Sequence, residues 1–291
     1  MNETDTSLTA MAPAKLNLFL HVVGRRADGY HMMQSVFVLL DIGDTLHFTT
    51  RRDGVIRRLS DLPGVKAEDD LVVRAAQALK REAETVSGQA GLGVDITVEK
   101  KLPMGGGLGG GSSDAASTIL ALNRLWNLGF STERLSAIGL GLGADVPFFI
   151  FGCNAFAEGI GEKLSPVELP RWWYLVLTPP EHVPTPVVFA HAELTRDTFP
   201  IKISDFSANG LVKMRNDLQP VVLKTFPAVL RCFEALQVVS QKSVFGVRMT
   251  GSGACVFAAF EVEHDAREAF QLLQPEYSGF VAQGLSRHPF S

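Results

Sequence analysis

Residues 102–116 read LPMGGGLGGGSSDAA, six glycines in seven positions between a strand-like run and a helix-like run. Before the glycines, Val94, Ile96 and Val98 alternate with Asp95, Thr97 and Glu99, the period-two pattern of a strand with one buried face. After them, Ala115, Ile119, Leu122 and Trp126 share one helical face, with Ser112 or Ser113 placed to be the N-cap. Glycine-rich backbone entering a helix turns unpaired N–H groups and the positive end of the helix dipole toward an anion, and no side chain blocks the approach. The loop therefore reads as a phosphate cradle. A flexible Gly-Ser linker is the bland alternative, but a linker has no reason to lie between a strand and a capped helix.

Three well-known phosphate loops fail on detail. A Walker A loop needs Gly-Lys-Ser/Thr, and here Gly111 runs directly into Ser112. Gly105, Gly107 and Gly110 satisfy G-x-G-x-x-G only because the run is so rich in glycine, and no acidic strand end follows about 20 residues on, as a dinucleotide fold requires. Protein kinases put a hairpin after their glycine loop, and HRD and DFG are absent.

At 291 residues the chain exceeds the usual single domain of roughly 100–200 residues, so two domains are expected. The glycine- and proline-bearing segment 152–170 suggests a boundary near Gly161, giving domains 1–161 and 162–291. Extended patterns at 16–23, 35–40, 45–50, 172–177, 254–260 and 280–283 mix with helical ones at 70–84, 131–142, 218–239 and 265–273, an α+β chain. Pro220 and Pro227 interrupt the third helical stretch. A net charge of −4 offers no basic field for nucleic acid. Cys153, Cys232 and Cys255 are odd in number and form no C-x-x-C, which argues against a disulfide framework or thiolate metal site and fits a reducing, cytoplasmic setting. The opening MNETDTSLT reads as a frayed tail rather than a signal peptide, and no apolar run nears the roughly 18–20 residues of a membrane span. Small-molecule partners are expected, with no nucleic acid and no membrane, in a monomer or homodimer.

Pro103, Gly107, Leu108, Gly109, Ser112, Ser113, Ala115 and Ala116 resemble the Pro-x-x-x-Gly-Leu-Gly-Ser-Ser-Ala-Ala hallmark of the GHMP kinase superfamily, with extra glycines. APAKLNLFL from Ala12, RADGYH from Arg26, LGADVPFF from Leu142 and MTGSGAC from Met249 narrow the resemblance to the branch that phosphorylates a cytidylylated alcohol. The resemblance runs from about residue 12 to 285 and implies a two-domain α+β fold: an N-terminal domain like ribosomal protein S5 domain 2 and a ferredoxin-like C-terminal domain. It implies ATP-dependent phosphorylation, with Mg²⁺, of the 2-hydroxyl of 4-diphosphocytidyl-2-C-methyl-D-erythritol in non-mevalonate isoprenoid synthesis. A GHMP kinase acting on mevalonate, homoserine or a sugar, and a non-enzymatic nucleotide-binding module, remain alternatives.

The same resemblance assigns roles. Asp145 is expected to accept the hydroxyl proton and Lys15 to pair with it and orient the reacting groups. Asn17, on the strand face of Lys15, is expected at the substrate's polyol, Tyr30 and His31 at the cytosine, Phe189 as a second aromatic plate and Thr185 beside it. Lys100, Pro103 and the run Gly105, Gly106, Gly107, Leu108, Gly109, Gly110, Gly111, Ser112 and Ser113 are expected around ATP, the serines adding hydroxyl donors or approaching Mg²⁺. No side chain is assigned as a metal ligand. Asp114 stands unexplained near the triphosphate, and Asp70 replaces a common family asparagine, which puts an adenine-edge role there in doubt.

Overall fold

The computed structural model describes residues 6–62 and 64–290. Two long antiparallel strands, β1 (Ser7–Arg25) and β2 (His31–Arg51), form its spine. Both faces of their middles are covered: Ala12, Ala14, Leu16, Leu18, Phe19 and Val22 of β1 are fully buried, and the polar Lys15 and Asn17 that alternate with them are buried too. Register shifts between Pro13 and Lys15, Asn17 and Leu20, and Val22 and Gly24 bend β1 as it runs. The two extended runs expected at 35–40 and 45–50 are one strand. Gly43 sits opposite Pro13, where a Cβ would lie 2.1 Å from the Ala12 carbonyl oxygen, so a residue without a side chain carries the polar segment 41–44 through in strand form. The expected N-terminal tail is corrected in part: Ser7, Leu8 and Thr9 pair with Thr49, Phe48 and His47, and residues 1–5 lie outside the described residues.

The further strands are β3 (Ile56–Arg58), β4 (Gly93–Glu99), β5 (Ala155–Glu158), β6 (Lys163–Pro166), β7 (Trp173–Leu177), β8 (Arg248–Met249), β9 (Val256–Phe260) and β10 (Gly279–Leu285). They join in the order β3-β4-β2-β10-β7-β9-β8, with β1 and β5 also paired to β2 and β6 to β5. Gly161 lies in the turn of the β5–β6 hairpin. β10 bridges the sheet, its Gly279 to Gln283 pairing with β7 and its Gly284 and Leu285 with β2.

The helices are α1 (Leu71–Ser87), α2 (Gly110–Leu125), α3 (Thr132–Leu140), α4 (Val146–Phe151), α5 (Thr185–Ala190), α6 (Gln219–Thr225), α7 (Pro227–Val239) and α8 (Glu263–Leu273). Pro220 and Pro227 open α6 and α7, where the missing N–H leaves no intrahelical bond unmade. Asp70 caps α1, accepting from Val72 N at 3.0 Å, a bond that contributes about 1 kcal/mol, and its other oxygen meets Arg58 at 2.7 Å. Ser131 caps α3, its side chain accepting from Arg134 N.

The N-cap of α2 is a correction. Gly109, at φ 72°, takes that position and Ser112 and Ser113 fall inside the first turn. Only glycine fits there, because a Cβ would approach Phe149 Cζ to 2.9 Å and Lys15 Cγ to 3.1 Å.

Three apolar clusters make the core. Val94, Ile96, Leu46 and Phe48 of the sheet face α1 and α2 and the Phe148-Phe149 pair of α4. Leu175, Leu177, Val256 and Ala258 face α6, α7 and α8. Leu16, Leu18, Val36, Val38, Tyr174 and Phe257 fill the space where the two halves of the sheet meet. No helix among the described residues is long and apolar enough to cross a membrane.

Candidate active site

Gly105, Gly107 and Gly109 adopt φ of 74°, 77° and 72°, alternating left-handed positions of the kind from which backbone amides form an anion-binding concavity. The turn at 250–253 backs this loop so closely that a Cβ on Gly107 would lie 2.5 Å from the Thr250 carbonyl oxygen, and one on Gly106 would lie 2.7 Å from Cys255 Sγ. Cys255 N donates to Gly106 O at 3.1 Å, and Thr250 Oγ1 donates to Gly107 O at 3.3 Å.

The root of the loop is clamped by charge. Asp44 Oδ1 accepts from Lys101 N at 2.6 Å and Leu102 N at 2.9 Å. Lys100 Nζ bridges Asp44 Oδ2 at 2.5 Å and Asp114 Oδ2 at 2.8 Å. Burial pushes the Asp114 carboxyl up to about 7 against the pull of Lys100, while Lys100, penalised by burial, is held above its ordinary range by Asp114 and Asp44. With Asp114 protonated the group is neutral, one ammonium against one carboxylate, and with Asp114 ionised it carries a net negative charge.

A cleft of about 990 Å³ opens in front of the loop. Gly105, Gly107, Gly109 and Ser112 line one end, with Lys15 and Asp145 beside them. Lys15 Nζ lies 3.4 Å from Asp145 Oδ2, with side-chain exposures of 5% and 34%. Asp145 stands at the N-cap of α4 but makes no capping bond, so its carboxylate is not committed to the helix. Asn17 holds the lysine instead: Lys15 Nζ donates to Asn17 Oδ1 at 2.5 Å, and Asn17 Nδ2 donates to Ser35 Oγ at 2.9 Å. Ser35 Oγ donates to Phe19 O at 2.6 Å, so the chain of bonds ends on backbone.

The other end of the cleft is aromatic. Tyr30 is 62% exposed on the turn fixed by the Tyr30 N bond to Asp28 Oδ1. The His31 ring stacks on Phe189 with centroids 5.0 Å apart and planes 29° apart. Burial, then the positive charges of Arg196 and Arg25, lower the His31 pKa and favour the neutral ring. Between the two ends, Thr185 Oγ1 lies 2.6 Å from Ser252 Oγ.

Eleven of the residues singled out in the sequence thus meet on one cleft: Lys15, Asn17, Tyr30, His31, Gly105, Gly107, Gly109, Ser112, Asp145, Thr185 and Phe189. The others stand off its lining. Lys100 is at the loop root, Gly106, Leu108 and Ser113 are buried, Gly110 starts α2, and Pro103 and Gly111 are exposed. Leu108 contributes backbone, its carbonyl accepting from Lys15 N at 2.9 Å. Arg196 and His182 went unnoticed in the sequence. His182 lines the cleft, its Nδ1 so near that a Cβ on Gly105 would lie 2.8 Å away, and neither residue belongs to a local pattern that would have marked it.

The model for the GHMP kinases N terminal domain matches residues 70–153 and that for the GHMP kinases C terminal matches residues 197–277. A protein of Janthinobacterium sp. (strain Marseille) named 4-diphosphocytidyl-2-C-methyl-D-erythritol kinase is 58% identical over 280 residues, covering 96% of this chain and 95% of its own length. A protein of the same name from Nitrosospira multiformis is 55% identical, covering 99% and 94%. A crystal structure of 4-(cytidine 5'-diphospho)-2C-methyl-D-erythritol kinase superposes with a TM-score of 0.80 at 33% identity, covering 95% of this chain and 99% of the other. The mevalonate kinase of Methanococcus jannaschii shares the fold at a TM-score of 0.66, 14% identity and coverage of 98% and 100%. Matched in both halves by the family models and end to end by its relatives, the chain belongs to the GHMP kinases.

Proposed function

We propose that this chain transfers the γ-phosphoryl group of ATP to the 2-hydroxyl of 4-diphosphocytidyl-2-C-methyl-D-erythritol, the compound in the names of its relatives, as a cytoplasmic enzyme. The observation that carries the proposal is one cleft with a lysine–carboxylate pair beside a glycine loop at one end and an aromatic, hydrogen-bonding site at the other. The part up to about Gly161 contributes the loop and the pair, and the part beyond it contributes Phe189 and the turn at 250–253.

Phosphoryl transfer demands in-line placement and charge neutralisation more than covalent work. The nucleophilic hydroxyl sits against Asp145, whose carboxylate accepts its proton as the new P–O bond forms and the bond to ADP breaks. The Lys15 ammonium, held by Asn17, faces both the carboxylate and the incoming phosphoryl and offsets their charges. The amides of the loop and the N-terminus of α2 hold the ATP phosphates. Among the described residues Asp114 Oδ1 and Ser113 Oγ are buried without a hydrogen-bond partner, and these oxygens would hold a Mg²⁺, which would neutralise charge on the transferring group. Tyr30 and Phe189 flank the base, and His31 meets its edge.

A substrate panel with ATP and Mg²⁺ tests the reading. Saturable ADP production with the cytidylylated alcohol, and none with mevalonate, homoserine or galactose, is the expected result; turnover of one of those three instead would overturn it.

A further inference from the structure

Arg196 lies outside every motif, yet it joins the two aromatic residues at the base end of the cleft. Its Nε donates to His31 Nε2 at 3.2 Å, its Nη1 to Leu194 O at 3.1 Å, and its Nη2 to Phe189 O at 3.0 Å and His191 O at 2.7 Å. A guanidinium has only donors and stays charged, so the bond to His31 requires a lone pair on Nε2. The single proton of the neutral imidazole must then sit on Nδ1. Among the described residues Nδ1 has no hydrogen-bond partner, and the ring that carries it lines the cleft in its stack with Phe189. The charged groups facing this ring are Arg196, from the segment after α5, and Arg25, at the end of β1, both cations that disfavour a second ring proton.

We propose that Arg196 is a positioning residue for base choice: by bonding to His31 Nε2 and to the backbone of Phe189, it presents an Nδ1–H donor beside the aromatic plate. Ring position 3 of cytosine is an acceptor, whereas that of uracil is an N–H. A fixed donor therefore accepts one pyrimidine and opposes the other, and a tautomer flip would remove the distinction. The inference rests on the cytidylylated substrate proposed above. A role confined to stapling the segment 189–196 would make a different demand, loosening cytidine and uridine compounds alike.

The test compares wild type, Arg196→Met and Arg196→Gln on the cytidine-diphosphate substrate and its uridine-diphosphate counterpart. Methionine keeps the bulk and removes every donor; glutamine restores one donor toward Nε2. In Arg196→Met, kcat for the cytidine compound should stay within about threefold, its KM should rise about tenfold or more, and the cytidine preference should fall at least about tenfold, with glutamine recovering part of the preference. Loss of both substrates in equal proportion, leaving the preference intact, would overturn the proposal. ¹⁵N shifts of the wild-type imidazoles, with His31 assigned by its disappearance in His31→Gln, give a second readout that needs no Arg196 variant to fold. A protonated Nδ1 and a bare Nε2 are expected, and the opposite tautomer refutes the assignment. Wild type that ignores the cytidine compound altogether would sink the functional reading, and the nitrogen shifts would still judge the role of Arg196 at His31.

Discussion

The backbone N–H of Asn17 donates to Thr250 Oγ1 at 3.0 Å, tying the strand that carries Lys15 to the turn that backs the glycine loop. Because the same hydroxyl donates onward to Gly107 O, one buried side chain sets the distance between the lysine and the phosphate cradle. Thr250→Val keeps the shape and strands both backbone groups. Urea unfolding should show a loss of about 1–3 kcal/mol, and the KM for ATP should rise. An unchanged midpoint would mean that the hydroxyl is dispensable to this link.

Asp145→Asn keeps size and polarity while removing the proton acceptor. Steady-state assays should show kcat lower by at least about 100-fold with the melting temperature little changed, since the carboxylate makes no capping bond and the Lys15 ammonium it faces stays bonded to Asn17. Activity within a few-fold of wild type would dismiss Asp145 as the acceptor.

Tyr30 is exposed, so its removal leaves no cavity in the core. Tyr30→Ala should weaken binding of the cytidylylated alcohol by about 1–3 kcal/mol in calorimetry and leave ATP affinity nearly constant. Equal losses for both ligands would point to a general disturbance of the cleft instead of a lost stacking plate.

Burial lifts the Asp114 carboxyl from 3.8 to about 7. A carboxyl raised in the folded state favours folding in its protonated form, so this contribution is complete below about 3.8 and lost as pH climbs through about 7. Asp114→Asn mimics the protonated form at every pH. The variant should match wild type in denaturant unfolding at pH 4 and exceed it increasingly up to pH 8, by on the order of 1–4 kcal/mol. Wild type gaining on the variant as pH rises would show that the attraction of Lys100 outweighs the burial of Asp114.

The strand and helix around the glycine loop were legible in the sequence because each has a buried face with its own period: Val94, Ile96 and Val98 at every second residue, and Ala115, Ile119 and Leu122 on one helical stripe. The helices opened by Pro220 and Pro227 were legible for a local reason too, since proline both ends one helix and starts the next. The cap of α2 misled because serine is the usual signal, whereas here a glycine fits against Phe149 and Lys15, neighbours brought by tertiary contact. The continuity of β2 was hidden by Asp41 and Asp44, which look like turn residues until Asp44 is seen anchoring the loop root and Gly43 nesting against β1. In the site, residues inside motifs could be named in advance. The reassignment of Asp70 to a helix cap and an Arg58 partner, the use of Asn17 to hold Lys15, and the reach of Arg196 to His31 depend on which segments fold together, which no single window of sequence contains.

β10 follows every other strand in the chain and yet lies in the middle of the sheet, between β2 and β7. During synthesis the glycine loop, the lysine–carboxylate pair and the base-binding plates are all made before the strand that joins their two supports. A polypeptide halted before Gly279 would carry every catalytic group and lack the hinge pin that fixes one wall of the cleft against the other, so catalytic competence should arrive abruptly as translation passes the final strand rather than grow with chain length.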